Sequence, residues 1–304
     1  MKIDELKKII PNSENWIYKE DITFGWSGEQ KYKIVTNNNK TLLLRLLSFE
    51  QYEKQKNGIA FLEKCCKKNQ FVPSVLNKGF TLDNSGYFLL LNYIDGNNGM
   101  SEIEKQEPDK QYQLGTKMGK IIKTLHSIST PQKDEMYIKT FSDKLNNLYK
   151  FFLSNKANLG FLHNTDKYIS QLLEIIPKRP IIMLHNDFHL GNMIINSDNI
   201  SLIDFNRSSV GDNIKEFDCI AWSAIHSELF ATGLLDSYIA NNNKEEFFQI
   251  LRLYISYWEL QMLVFIEHED EEEKQVVLNL IKYTESWFDK DEYIPNWYLK
   301  NTKK

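Results

Sequence analysis

The period of the apolar residues changes once along this chain, and that change limits what it can fold into. From Ile17 to Ile94 the apolar positions fall into short extended segments, IYKEDITF, EQKYKIVT, KTLLLRLL and GYFLLLNYI. Gly, Asn and Asp turn signals such as Thr36-Asn-Asn-Asn-Lys40 separate them. One run of helical spacing, Gln51 to Asn69 with Ile59, Phe61, Leu62 and Cys66, interrupts the series. After Asp95-Gly96-Asn97-Asn98-Gly99 the helical period takes over, with runs at about 108–128, 142–155, 165–176, 213–231, 244–268 and 271–289. Ser101-Glu-Ile-Glu104 reads as a capping box ahead of the first of them. The rear part holds clear strand material only at Ile181–Leu184, Met193–Asn196 and Ile200–Asp204. The expected architecture is therefore α+β, with a small β-rich lobe over residues 1–94 and a larger, mainly helical lobe over 95–304.

A length of 304 residues with 42% hydrophobic side chains suits one large domain or two lobes. No stretch approaches the roughly 18 apolar residues of a membrane span. The charged start MKIDELKKII lacks the apolar core of a signal peptide, so the expected location is the cytoplasm, with no membrane partner. Cys65, Cys66 and Cys219 have neither the spacing of a structural zinc site nor an even count for disulfides, and are read as packing thiols. A net charge of −4 argues against nucleic acid as a partner. Residues 1–96 carry 14 Lys+Arg against 11 Asp+Glu, the remainder 23 against 30, a phosphate-friendly front and a cation-attracting rear. The acidic run His268-Glu-Asp-Glu-Glu-Glu-Lys274 reads as a solvated helix start.

The chemistry concentrates in MLHNDFHLGNMIINSDNISLIDFNR, residues 183 to 207. On an extended segment His185, Asp187 and His189 would point one way and could converge on zinc, as in a metallohydrolase. His126, His163, His226 and His268 are scattered without ligand spacing, which leaves that set incomplete. A second reading uses more of the residues. Asp187 and Asn192 share one loop, and Asp204 ends the second strand of the hairpin that follows. Phosphoryl transfer from a nucleotide needs such a set: a carboxylate to orient the acceptor hydroxyl, and an amide oxygen with a second carboxylate for Mg²⁺. These are hard oxygen ligands, suited to Mg²⁺ rather than zinc.

HNDFHLGNMIIN followed by LIDFNR resembles the H-G-D-x-x-x-x-N and I-D-F segments of the aminoglycoside phosphotransferase family, small-molecule kinases with a protein-kinase-like fold. The resemblance implies that Asp187 is the catalytic base, Asn192 and Asp204 are the Mg²⁺ ligands, and His185 and His189 frame the loop, His189 at the pocket edge. It also implies ATP or GTP as phosphoryl donor. Asn186 stands where the family has Gly, a change Asn tolerates because it accepts left-handed conformations. Asn206 after Asp204-Phe205, where protein kinases have Gly, favours a small-molecule kinase.

In the front lobe, Phe24-Gly-Trp-Ser-Gly28 would let backbone N–H groups near Ser27 and Gly28 approach phosphate. Arg45 occupies the place of the family's phosphate-binding Lys or Arg. Its helix glutamate is assigned to Glu53, with Glu50 and Glu63 as alternatives, and alignment on Phe61-Leu62 puts Gln55 at that place. Backbone groups of Asn92, Tyr93 and Ile94 would hydrogen-bond the base, with Ile34 and Ile203 sandwiching it.

A cationic acceptor such as an aminoglycoside needs carboxylates, for which Glu216, Asp218, Glu267 and Asp270 (beside Glu269) are the candidates. Tyr254, Tyr257, Trp258, Trp287 and Trp297 are expected in the core, one or two of them walling the pocket. The expected function is transfer of a nucleotide's γ-phosphate to an aminoglycoside hydroxyl, with antibiotic resistance as its consequence. A choline, sugar or amino-alcohol kinase, a non-catalytic pseudokinase and the zinc hydrolase are the alternatives. Oligomeric state has no signature in the sequence.

Overall fold

The computed structural model describes residues 1–23, 28–156, 159–162, 164–288 and 292–302. The chain divides into two compact units, Met1–Gly96 with Ser201–Ser208, and Asn97–Ile200 with Ser209–Lys304.

In the first unit, helix α1 (Ile3–Ile9) precedes strands β1 (Trp16–Ile22), β2 (Gln30–Thr36) and β3 (Thr41–Leu47), then helix α2 (Phe49–Cys65) and strands β4 (Val75–Phe80) and β5 (Tyr87–Asn92). The five strands form one antiparallel sheet in the order β1-β2-β3-β5-β4. Alternation sorts their side chains. Tyr32, Ile34, Leu42, Leu44 and Phe88 share one face and bury it against Leu6 of α1, Ile10 just after that helix, and Trp16. Arg45 necessarily points to the other face, with Leu43, Lys31, Lys33 and Leu91 at the registers beside it. Ser48 caps α2 by accepting from the Gln51 N–H, and Gln51 reaches back to the Ser48 N–H. Strand β4 escapes the sequence pattern because Pro73, Asn77 and Gly79 read as turn material, which an edge strand tolerates.

Segment 201–208 joins this unit through contacts remote in sequence. The Leu202 N–H donates to Phe71 O, and the Phe205 ring lies 6.1 Å from Phe61. Gly58 lets the Phe205 carbonyl approach α2 so closely that a Cβ there would sit 2.4 Å from it.

The second unit opens with the short β6 (Asn97–Asn98) and α3 (Gly99–Ile103), followed by α4 (Pro108–His126), α5 (Glu135–Asn155) and α6 (Thr165–Ile175). Strands β7 (Ile181–Leu184), β8 (Met193–Asn196), β9 (Asn199–Leu202) and β10 (Ser209–Asp212) come next. Helices α7 (Ala221–Ala224), α8 (Glu228–Ile239), α9 (Lys244–Phe265), α10 (Glu271–Glu285) and α11 (Asn296–Thr302) complete the chain. The expected capping box at Ser101 is replaced by Asn98, whose side chain accepts from the Met100 N–H, so Ser101 lies inside α3. The expected helix over 213–231 is broken. Asp212 caps a short 3₁₀ turn at Asn213–Phe217, and Ser227 stops the chain again by capping α8 through the Phe230 N–H.

The aromatic residues Tyr254, Tyr257, Trp258, Trp287 and Trp297 are all buried, and the three cysteines are free thiols. Asp270 caps α10 by accepting from the Glu272 and Glu273 N–H groups, which accounts for the acidic run. Among the described residues, no helix is long and apolar enough to cross a membrane.

Candidate active site

The loop between β7 and β8 is held from below by its alternate residues. Phe188 and Leu190 are buried, the Leu190 N–H donates to Ser223 Oγ, and Asp187 and His189 between them remain about one-fifth exposed. Asn186 has φ +64°, the left-handed conformation that Asn accepts at modest cost. Asn192 Nδ2 donates to Asp187 Oδ2 at 2.9 Å and to the Asp187 carbonyl at 2.8 Å, fixing the carboxylate. That assignment turns the Asn192 amide oxygen away from Asp187, free of competition from its carboxylate. His189 Nδ1 accepts from the Gly191 N–H, and its Nε2 lies 3.6 Å from Asp187 Oδ1. The turn at Asn186 prevents the three alternating residues from facing one way. Among the described residues no three His, Cys, Asp or Glu side chains gather into a metal-holding group.

Glu216 is not a substrate ligand. It is buried, and its carboxylate accepts from the His185 N–H at 2.8 Å, the Asn186 N–H at 2.6 Å and His126 Nε2 at 2.9 Å. Burial pushes its carboxyl up, but these bonds outweigh it and hold the group below the usual range. A carboxylate that ties down the entry to the β7–β8 loop has nothing left for a ligand. Asp218 is also buried, and burial raises its carboxyl against the pull of Lys215, 3.2 Å away. Lys215 in turn donates to Asn186 Oδ1 at 2.7 Å, placing a cation beside the loop. Glu267 is exposed on the 3₁₀ turn after α9, and Asp270 is committed as a helix cap. Sequence pattern could not separate these four carboxylates, because their difference lies in burial and pairing.

In the first unit, Glu29 and not Glu53 is the partner of Arg45. Arg45 Nε and Nη2 donate to the Glu29 carboxylate at 2.6–2.8 Å, and Nη2 also donates to Gln55 Oε1 at 3.0 Å. Gln55 Nε2 donates back to Glu29, so helix α2 contributes an amide where a carboxylate was expected. Glu53 faces solvent and pairs with Lys56. Gly28 precedes Glu29 with φ +62°, a left-handed conformation that glycine adopts without a Cβ penalty. Ser27 lies outside the described residues.

Asp204 takes φ +64° and holds its carboxylate 3.6 Å from Lys31 Nζ and 3.7 Å from Arg45 Nη1. Its Oδ1 is buried and accepts no hydrogen bond. A buried carboxylate oxygen lacking a donor is of the chemical kind that ligates a hard cation, as is an amide oxygen such as that of Asn192.

Two expected base contacts are corrected. Ile34 is fully buried on the α1 face of the sheet, opposite Arg45, so it cannot sandwich a base next to the Arg45 face; Leu43 is the strand residue on that face. The period of two from Arg45 would have found it. The N–H groups of Asn92 and Tyr93 are spent on Ser74 O and Thr41 O, which leaves Ile94 as the connector residue with an uncommitted N–H among the described residues. Ile203 is half-buried.

The sequence profile of the phosphotransferase enzyme family (APH) matches residues 20–248. The chain belongs to that family. No curated protein matches its sequence. Among solved structures it is similar to the ADP-bound aminoglycoside phosphotransferase APH(2'')-Ib, at 19% identity over 92% of this chain and 94% of that one, with a TM-score of 0.59. It is similar to the GDP and kanamycin complex of APH(2'')-IIIa, at 13% identity over 94% and 99%, with a TM-score of 0.64. A choline/ethanolamine kinase family protein from Mesorhizobium loti matches at 12% identity over 99% of both chains, with a TM-score of 0.63. The fold of this phosphotransferase is therefore kinase-like, a β-rich N-terminal part and a helical C-terminal part, as HNDFHLGN and IDF implied.

Proposed function

We propose that this phosphotransferase moves the γ-phosphoryl group of ATP or GTP to a hydroxyl of a small molecule in the cytoplasm, with residues 1–94 binding the nucleotide and 95–304 the acceptor. The observation that carries the reading is the Asp187–Asn192 pair: a carboxylate about one-fifth exposed, clamped by an amide at one oxygen. The Asp187 carboxylate then accepts the hydroxyl proton as the acceptor oxygen forms its bond to phosphorus and the bond to the nucleoside diphosphate breaks. Asp187 acts more by placing the hydroxyl than by basicity, since the transition state is loose. Glu216 keeps the loop backbone in register beneath it. Asn192 and Asp204 would hold magnesium, which neutralises charge on the phosphate oxygens when bound.

Asp187→Asn is expected to lower kcat by about two to four orders of magnitude while nucleotide binding persists. A mutant with wild-type turnover on a good acceptor would remove Asp187 from the mechanism.

For the acceptor, an aminoglycoside or similar cation is supported by the motif resemblance and by the kanamycin complex of one structural neighbour, and antibiotic resistance would follow. One observation favours a second reading, a sugar or amino-alcohol acceptor. Glu216 and Asp218 are internally paired, and Lys215 stands beside Asn186 where a polycation would meet it. A turnover screen of aminoglycosides, choline and simple sugars with ATP and GTP separates the two, because kanamycin-class turnover supports the first and turnover confined to neutral or singly charged alcohols the second.

A further inference from the structure

The cations of the first unit do not carry equal charge outward. Arg45 is bound on two nitrogens by Glu29, whose side chain is fully buried, and Arg45 itself is 5% exposed. Its charge is compensated inside the sheet. Lys31 stands directly across from it on β2, on the same face, and its side chain is 14% exposed. The only carboxylate in ion-pair range of Lys31 among the described residues is Asp204, at 3.6 Å, a looser contact than the 2.6–2.8 Å bonds inside the Arg45–Glu29 pair.

We infer that Lys31 is the cation that meets the phosphates of the bound nucleotide, the role that position alone assigns to Arg45, and that Arg45 with Glu29 and Gln55 is the brace behind it. The inference rests on the proposed phosphoryl transfer. If Asp204 ligates a divalent cation, it can no longer compensate an ammonium as well, and Lys31 is left without a counter-charge. A phosphate oxygen restores it. The two side-chain types suit the division. A guanidinium makes a rigid two-point pair with a buried carboxylate, while an ammonium on a flexible stem follows a phosphate as a point charge. Lys33 is on the same face two residues on, but its Nζ lies over the Tyr93 ring at 4.8 Å and is directed along the sheet toward the connector.

The test is calorimetric titration of the full chain with ATP, GTP, ADP, GDP and adenosine, each with magnesium and with chelator, for wild type, Lys31→Met and Lys31→Arg. Lys31→Met is expected to weaken ATP binding about 10- to 100-fold, the loss of a charge-assisted bond, and to leave adenosine binding unchanged. Lys31→Arg recovers most of the affinity. Circular dichroism and the melting temperature check that the variants fold, and Lys31→Gln serves in place of the Met variant if that one does not. ATP affinity equal to wild type in Lys31→Met, or an equal loss for ATP and adenosine, overturns the inference while leaving phosphoryl transfer standing. A wild-type chain that binds adenine and guanine nucleotides not at all overturns the phosphotransfer reading itself.

Discussion

Residue by residue, the site is organised by which charges are already answered within the protein. Arg45 is the clearest case. Removing it leaves Glu29 buried without a counter-ion, so Arg45→Met is expected to destabilise the chain by about 3–5 kcal/mol, read as a lower denaturant midpoint. The double variant Arg45→Met, Glu29→Met should recover much of that loss, because the penalty belongs to the stranded carboxylate. A single variant as stable as wild type would show that the pair is not a brace. That Asp187 and Asn192 share one loop and that Asp204 follows the next hairpin was legible from spacing alone, because these are intervals within one continuous segment. Glu29 was not legible. It lies 16 residues from Arg45, and nothing local distinguishes it from the exposed Glu50 and Glu53.

Among the elements, the pairing of α4 with α8 depends on three glycines. A Cβ at Gly115 would sit 2.1 Å from Phe230 O, at Gly119 2.3 Å from Leu234 O, and at Gly233 2.2 Å from Tyr112 O. All three contacts are with backbone, which cannot move aside without separating the helices. Gly115→Ala is therefore expected to cost about 1–3 kcal/mol despite the better helix propensity of Ala, with a melting temperature lowered by several degrees. A rise in melting temperature would mean that the helices part at little cost. The sequence period located α4, α6, α9 and α10 well, since α4, α6 and α10 each bury an apolar stripe and α9 is buried on all sides from Ile250 to Leu260. It failed where short elements meet caps, at 213–231 and at Ser101, because a single Asp, Asn or Ser side chain bonding backbone N–H groups outweighs a few apolar positions.

At the scale of the whole molecule, one buried charge cluster outside the proposed site contributes to the response of stability to pH. On α9, Arg252 reaches Glu259 at 3.5 Å and Glu285 of α10 at 2.5 Å, with its guanidinium 4.3 Å from the Phe288 ring centroid. Burial, and then the neighbouring Glu285 carboxylate, push the Glu259 carboxyl well above its usual range, against the pull of Arg252. A raised acid keeps its proton in the folded state. Its contribution to stability is complete below the unfolded value of about 4.3 and is lost as pH rises toward the folded value. Glu259→Gln is expected to flatten the fall in melting temperature over that range; an unchanged pH profile would take Glu259 out of the cluster's titration.

The sequence by itself determined the two-part α+β architecture, the loop that carries Asp187 and Asn192, and the family, because hydrophobic period and motif spacing are local properties of the chain. Only the tertiary structure decided that Glu29 answers the charge of Arg45 and that Glu216 and Asp218 are turned inward. Those facts depend on burial and on partners distant in sequence, and a carboxylate reads the same in a one-dimensional string whether water or a buried cation will meet it.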